Sequence, residues 1–223
     1  MSKFMFFLLP CAALCLGFSC AGADTNADAD NSAAMELVVE SGEHWLGNMK
    51  FFIFSMKKTP QMAAWIEDET GHYMSTISVT GRSANKKWRG APKEGRPEAL
   101  PIWNHRRDNQ AAIDTVSTAT PKSSVETIID DSILTGGNTY TVYLEINHSF
   151  DYNETWTKDN SGVNGQPSLI YTAVFVAGQP GRIPLVPVGH GSVDGSDGNI
   201  TENLKTCAEA LGIIQSAYIV VKQ

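Results

Sequence analysis

The stretch TYTVYLEIN, residues 139–147, alternates apolar with mixed side chains from one end to the other. In an extended strand, this alternation puts every second residue on the same face. One face holds Tyr140, Val142, Leu144 and Ile146, and the other holds Thr139, Thr141, Tyr143, Glu145 and Asn147. The pattern predicts a strand of an antiparallel sheet, with the first face in a core and the second face in water.

Other short runs rich in β-branched and aromatic residues also predict strands. They cover residues 35–41, 50–58, 125–130, 168–178 and 182–189, while 62–66 and 73–79 form a hairpin around the turn at 69–71. So many strands predict a mainly β protein, an antiparallel immunoglobulin-like β-sandwich that occupies residues 35–223 as a single domain. Near the end of the chain, NITENLKTCAEALGII predicts a helix with Thr201 near its start, followed by a closing strand, SAYIVVK.

Residues 82–112 interrupt the β pattern and predict a long helical or irregular crossover. The segment is basic and contains two tryptophans, Trp88 and Trp103. In one interpretation Trp88, Trp103, Arg106 and Arg107 form a ligand-binding face, because aromatic rings and guanidinium groups hold planar or anionic groups. In the other, the two tryptophans plug the end of the sandwich and the basic side chains stay solvated.

The first 19 residues have the form of an export signal, since Lys3 precedes a short, largely apolar run that is uncharged from 4 to 19. A spanning helix needs about 20 apolar residues, so this run is too short to be one. LGFSC, residues 16–20, resembles a relaxed lipobox and predicts a lipid on Cys20, followed by a disordered acidic tether over 20–34. The expected location is the extracytoplasmic side of a bacterial membrane. Cleavage at residues 21–23, giving a soluble periplasmic or secreted protein, is the alternative.

The cysteine and charge content excludes a disulfide in the folded part and argues against one class of partner. Cys11, Cys15 and Cys20 lie in the signal region, so only Cys207 remains for the folded part. One cysteine excludes an intrachain disulfide there, and we interpret Cys207 as a small core residue. The formal net charge of −7 argues against nucleic acid as a partner.

Several of these segments together resemble a family of predicted periplasmic proteins that carry a domain of unknown function. The resemblance rests on WIEDETGHYMSTISVTG, the basic tryptophan region, a D-x-V-S-x-A-T-P segment and YTVYLEINHSFDYNE. It implies an extracytoplasmic β-sandwich that is often encoded beside flavin transferases and other parts of exported flavin-based electron transfer. It implies no particular reaction.

Residues 114–120, DTVSTAT, are similar to the flavin-attachment motif of flavin mononucleotide-binding domains. That similarity implies that Thr120 carries covalent FMN, with Asp114 and Ser117 recognised by the attaching transferase. Thr118 and Pro121 depart from the motif. The alternative is a turn in which Asp114, Ser117 and Thr118 bond to the backbone ahead of the strand at 125.

Other candidate residues carry weaker patterns. Asp194, Asp197, Asn199 and Glu202 offer oxygen ligands for Ca²⁺, but their spacing does not match an EF-hand loop, and a turn is favoured. His148 in HSFDYNETW is interpreted as part of a loop that caps the sandwich rather than as a metal ligand. His190-Gly191-Ser192 lacks the G-x-S-x-G pattern of a hydrolase nucleophile. The sequence therefore predicts no catalytic residue and no metal site.

Taken together, the sequence predicts a lipid-anchored binding or accessory protein. The expected partners are the membrane, through the lipid, and a redox or other envelope protein of a flavin-linked system. The alternatives are an electron-transfer protein with flavin on Thr120 and a hydrolase that uses His190 or the carboxylates of HSFDYNE.

Overall fold

The computed structural model describes residues 35–51, 54–88, 90–107, 117–118 and 123–222, all within one compact unit, Ala33–Gln223. Its first strands are β1 (Met35–Ser41), β2 (Gly47–Phe51), β3 (Phe54–Lys58), β4 (Gln61–Asp68), β5 (Tyr73–Thr80) and β6 (Ser117–Thr118). The later strands are β7 (Val125–Ile128), β8 (Thr139–Asn147), β9 (Leu169–Val176), β10 (Gly181–Pro184), β11 (Val186–His190) and β12 (Ile214–Val221). The helices are short: α1 (Gly81–Asn85), α2 (Pro101–Arg106), α3 (Lys158–Ser161), α4 (Ala208–Leu211) and a 3-10 turn at Pro97–Ala99.

The strands form two packed sheets and a separate hairpin. The first sheet has the order β10-β12-β1-β7 and the second has the order β11-β9-β8-β4-β5-β6. All pairings are antiparallel except that of the short β6 with β5. The predicted mainly β antiparallel sandwich is confirmed, and the crossover after β5 has the predicted short helices. None of the described helices has the length and apolar character needed to cross a lipid bilayer.

Two segments predicted as single strands are each divided. Residues 50–58 are not one strand, because β2 and β3 form an antiparallel hairpin in which Phe51 pairs with Phe54. Residues 182–189 are also not one strand. Here β10 belongs to the first sheet and β11 to the second, and the buried Leu185 connects them. Apolar alternation continues across such a switch, so the sequence pattern alone does not show it.

The predicted helix from Thr201 is wrong in its extent. Only Ala208–Leu211 is helical, while Thr201 forms an isolated β-bridge with His190. Reciprocal backbone hydrogen bonds of 2.9 Å join these two residues. The bridge ties Thr201 to the end of β11, so this residue is not at the start of a helix. The closing strand is confirmed as β12.

The main core lies between the two sheets and follows the predicted alternation. Tyr140, Val142, Leu144 and Ile146 of β8 are all buried there. They pack with residues of the other sheet and of the loops, including Leu37, Trp45, Ile213 and Ile219. Burial of this apolar surface, at about 25 cal/mol per Å², is the main stabilising contribution to the sandwich.

The second face of β8 was expected to meet water, and for half of the strand this is wrong. Glu145 and Asn147 are buried, with 0% and 1% of their surface exposed. The crossover folds back over this outer face and forms a second apolar cluster there. That outer cluster contains Ala63, Trp65, Val79, Leu100, Ile102, Trp103 and Ile170. An alternating pattern does not reveal a distant segment that covers the polar side.

Glu145 fixes α2 against this outer face. One carboxylate oxygen accepts hydrogen bonds from the backbone N–H of Ile102 (3.2 Å) and from Ser168 Oγ (2.6 Å). The other accepts the N–H of Trp103 at 2.8 Å. The first N–H groups of a helix have no partner within the helix, so the carboxylate satisfies donors that burial would otherwise leave unpaired.

Candidate functional site

The four crossover residues predicted to bind a ligand are not brought together as one face. Trp103 is fully buried in the outer cluster, and its Nε1–H donates to Thr76 Oγ1 at 3.1 Å. It packs in the outer cluster on the second sheet. Arg107 lies over its ring, with 4.2 Å between the guanidinium carbon and the ring centroid. Burial lowers the pKa of Arg107, partly offset by Tyr73.

Arg106 forms an ion pair with a buried carboxylate. Its Nη1 lies 3.2 and 3.0 Å from the two oxygens of Glu67, which is 1% exposed. Trp65 Nε1 donates to the same carboxylate at 2.8 Å. The arrangement joins the end of α2 to β4, because a buried carboxylate needs a partner for its charge. Arg106 therefore has a structural contact, and its role in binding a ligand stays a prediction.

Trp88 has a different environment from the other three residues. It is half-buried and lies beside the Arg96 guanidinium, whose carbon is 5.0 Å from the ring centroid. Arg96 is itself held in three directions. Nε pairs with Glu98 at 2.8 Å, Nη1 donates to Ser149 Oγ at 2.6 Å, and Nη2 donates to Asn164 Oδ1 at 2.8 Å. Trp88 thus rests on a guanidinium whose position is fixed.

Trp88 lines a groove of about 1190 Å³ at one end of the second sheet. We call it the crossover groove. Its walls come from β3, α1, the crossover loop and the loop after β8, and its floor is the outer face of β4 and β8. The residues used below are Lys58, Gln61, Arg82, Lys87, Asn147 and Phe150, all of which line it with Trp88. A smaller cavity of about 330 Å³ shares Trp88 and Arg96 with the groove and is lined by Arg107 and His105.

Three basic side chains of the crossover groove have no acidic partner among the residues that the structure describes. Within the described residues, Lys58, Arg82 and Lys87 form no ion pair, whereas Arg96 pairs with Glu98. Partial burial, followed by the charges of Arg82 and Arg96, lowers the pKa of Lys58. Glu94 and Glu98 are the carboxylates of the lining, so cations outnumber anions there in a protein whose net charge is negative. The groove is therefore an anion-attracting surface.

The floor of the groove is made of two amide side chains that face each other across the sheet, Gln61 of β4 and Asn147 of β8. The Gln61 carbonyl accepts hydrogen bonds from Thr80 Oγ1 at 2.8 Å and Ser83 Oγ at 3.3 Å. Asn147 Nδ2 donates to the Gln166 carbonyl at 3.2 Å, which sets the orientation of its amide. Its Oδ1 is buried and accepts no hydrogen bond within the described part of the chain. Such an unpaired buried acceptor costs about 1–3 kcal/mol.

Phe150 forms the wall opposite the crossover loop. Its backbone has φ of +63°, a left-handed conformation that is uncommon for a bulky residue. The N–H of Phe150 donates to the Val163 carbonyl at 2.8 Å, which holds the turn. Lys58 Nζ lies 4.5 Å from the centroid of its ring. Strained backbone of this kind is kept where the surrounding contacts determine it, and it is enriched at binding sites.

The predicted flavin-attachment residues fall almost entirely outside the described residues. Asp114 and Thr120 are not described, and Ser117 is described only as part of β6, which pairs with Val79 of β5. Cys20, the predicted lipid acceptor, also lies outside the described residues. Both predictions therefore stay predictions.

The Asp/Gly-rich loop that offered Ca²⁺ ligands consists of local turns. Asp194 Oδ1 accepts the N–H of Ser196 at 3.0 Å, and Asp197 Oδ1 accepts that of Asn199 at 2.8 Å. Within the described ranges, no group of three His, Cys, Asp or Glu side chains has the geometry of a metal site. The favoured interpretation of this loop as a turn matches these contacts.

The histidines of the sequence motifs make separate structural contacts. One ring nitrogen of the buried His148 lies 3.0 Å from the Trp45 carbonyl, and burial lowers its pKa. His190 Nδ1 lies 2.9 Å from the Gly191 carbonyl. Ser192 Oγ donates to the Asp197 carbonyl at 3.1 Å, so this hydroxyl bonds to the backbone rather than to His190.

Other polar residues of HSFDYNETW form hydrogen bonds in the loop after β8. Asn153 Oδ1 accepts the N–H groups of Thr155 and Trp156, while Gln166 Nε2 donates to Asp151. Cys207 lies in the core with no exposed surface, and burial raises the pKa of its thiol.

Comparisons with protein-family models, curated proteins and solved structures found no match to this chain. Sequence reasoning found Trp88 but missed Lys58, Gln61, Arg82 and Asn147. These residues stand on separate strands and on α1, and only the folded crossover brings them to one groove. The sequence contains one indication of this groove, because Asn147 lies at the end of an alternating strand on its polar face.

Proposed function

We propose that this protein is a non-catalytic binding or accessory component of the bacterial cell envelope that takes an anionic ligand into the crossover groove. The observation that carries the proposal is the set of Lys58, Arg82 and Lys87, which have no acidic partner among the described residues and line the same groove as Trp88. The charges of Arg82 and Arg96 act on Lys58, so an anion that enters the groove is attracted by these cations and relieves this repulsion.

The same proposal includes a location and partners, and these are argued from the amino-acid sequence. The signal-like residues 1–19 and Cys20 support a lipid-anchored protein on the extracytoplasmic side. The family resemblance supports a place in a flavin-linked redox system, beside a redox or other envelope protein. An anionic ligand with a planar part suits the groove, because Trp88 offers a ring face and the lysines and arginine offer charge.

The test is a binding experiment with three anionic probes: citrate, a short polyphosphate and FMN. We expect at least one of them to bind the wild-type protein and to raise its unfolding temperature, since a ligand that binds only the folded state stabilises it. The affinity should fall as salt is added. The double variant Lys58→Gln/Arg82→Gln should bind the same probe at least tenfold more weakly.

A matched control variant distinguishes loss of charge in the groove from loss of the same charge elsewhere on the protein. Lys57 is exposed next to Lys58, and Arg182 lies over Tyr218 on the first sheet. The variant Lys57→Gln/Arg182→Gln removes the same two charges away from the groove and should bind as the wild type does. Equal loss of binding in both double variants refutes the proposed function, and so does the absence of binding by these three probes and by the acidic tetrasaccharides described below.

A further inference from the structure

The crossover groove combines a ring face, cations and hydrogen-bonding amides, and this combination restricts the ligand more than charge alone does. We infer that the ligand is an acidic saccharide of several sugar units. The inference rests on the proposed function, because it assigns a ligand class to the same groove. It depends on three features, namely the floor, the Trp88 wall and the size of the groove.

The floor needs a ligand that donates hydrogen bonds. Asn147 Oδ1 is buried without a donor among the described residues, although Nδ2 is held by the Gln166 carbonyl. A phosphate or carboxylate group is an acceptor when ionised and leaves this oxygen unpaired. A hydroxyl group can donate to Asn147 and at the same time accept from another group. Sugar hydroxyls therefore match the floor where a simple anion does not.

The Trp88 wall suits the flat, apolar side of a sugar ring. The C–H groups on one side of a pyranose form a patch that buries well against an indole face. The guanidinium of Arg96 lies on the ring of Trp88 and is fixed by Glu98, Ser149 and Asn164, so the indole is held before the ligand arrives. A wall that is already ordered loses little conformational freedom on binding.

The cations of the groove are the reason for inferring an acidic saccharide. Lys58 and Arg82 are close enough for the charge of the arginine to lower the pKa of the lysine, and Lys87 lines the same groove. Carboxylate or sulfate groups on the sugar pair with these side chains, which have no acidic partner in the described ranges. A neutral sugar would leave the repulsion in place.

The volume sets the size of the ligand. A pocket for a drug-sized molecule holds about 300–1,000 Å³. The groove, at about 1190 Å³, exceeds that range. It therefore has room for a short chain of rings, with one ring on Trp88 and acidic groups of the same or a neighbouring unit at Lys58 and Arg82.

The experiment measures binding of four tetrasaccharide or small-anion probes to the full chain by calorimetry. The probes are tetragalacturonate, a sulfated heparin-derived tetrasaccharide, neutral maltotetraose and citrate. We expect one of the two acidic tetrasaccharides to bind at least tenfold more tightly than maltotetraose and citrate. Trp88→Ala should weaken that binding at least tenfold, whereas Trp88→Phe, which keeps an aromatic face, should retain most of it. Lys58→Gln/Arg82→Gln should abolish the preference for the acidic over the neutral tetrasaccharide.

The outcomes distinguish this inference from the proposed function. If citrate, polyphosphate or FMN binds through Lys58 and Arg82 while neither acidic tetrasaccharide binds, the saccharide is wrong and the anion-binding function stands. Binding of acidic tetrasaccharides that is unchanged in both Trp88→Ala and Lys58→Gln/Arg82→Gln places them elsewhere and overturns the inference. Equal binding of maltotetraose overturns its acidic part. If no probe binds, the inference and the proposed function both fail.

Discussion

Replacing Glu145 with Gln should remove a large part of the pH dependence of stability. Burial raises the pKa of this carboxyl from 4.5 to about 7, against the opposing hydrogen bonds of Ser168, Trp103 and Ile102. Between those two values the folded protein holds a proton on Glu145 that the unfolded chain has released. Stability from this group is therefore fully present below pH 4.5 and is lost as the pH rises through about 7.

The magnitude follows from the two pKa values. A difference of one pKa unit corresponds to about 1.4 kcal/mol. Between pH 5 and pH 8, the shift to about 7 lowers the free energy of unfolding by about 2–3 kcal/mol. Gln resembles the protonated form, since its amide can donate to Ser168 Oγ and accept from the Trp103 N–H. We expect Glu145→Gln to lie within about 1 kcal/mol of the wild type at pH 5, because one hydrogen bond of ordinary strength is at stake.

The assay is urea unfolding followed by tryptophan fluorescence at pH 5, 6, 7 and 8. The stability of the wild type should fall more steeply with pH than that of Glu145→Gln, so that the variant is the more stable protein at pH 8. Glu126, exposed on β7, provides the control. Glu126→Gln should keep the pH profile of the wild type. Parallel profiles for Glu145→Gln and the wild type would show that the three donors compensate the buried charge, and the reasoning would be refuted.

Two further predictions concern other buried groups. Arg106→Ala should lower the free energy of unfolding by about 2–3 kcal/mol, because the buried Glu67 carboxylate then loses its cationic partner and keeps Trp65 Nε1 as a neutral donor, whereas Arg106→Lys should lose less. Urea unfolding at pH 7 measures both, and equal stability of Arg106→Ala and wild type contradicts the pairing. Cys207 should react with a thiol reagent at pH 8 only in denaturant, because it is fully buried and its pKa is raised. The mass of the peptide that contains Cys207 reports the reaction. Rapid labelling of the native protein would show that Cys207 is not buried.

Local sequence pattern predicted those parts of the fold that depend on neighbouring residues. The alternation in residues 139–147 identified β8 and its core face, and the hairpin of β4 and β5 followed from its turn. The pattern failed where a distant segment decides the outcome. Glu145 has the polarity of a solvent-facing residue, but α2 covers it and supplies its hydrogen bonds.

The candidate site was predictable only in part for the same reason. Trp88 and Trp103 stand in the same basic segment and look alike in sequence, yet one lines the crossover groove and the other is core. Their difference comes from α2, which begins at Pro101 and carries Trp103 onto the sheet, whereas Trp88 precedes it in the loop. Lys58 and Asn147 could not be linked to Trp88, because no local rule relates residues so far apart in the chain.

The first sheet has a consequence for the order of events during synthesis. β1 lies between β12 and β7, and the contact of Lys222 with Glu36 joins residues that are 186 positions apart. β10 pairs with β12 and with no other strand of that sheet. Residues up to Val221 must therefore have left the ribosome before this sheet can be complete, and contacts of such long range slow folding. Until β12 is made, β1 keeps one edge unpaired.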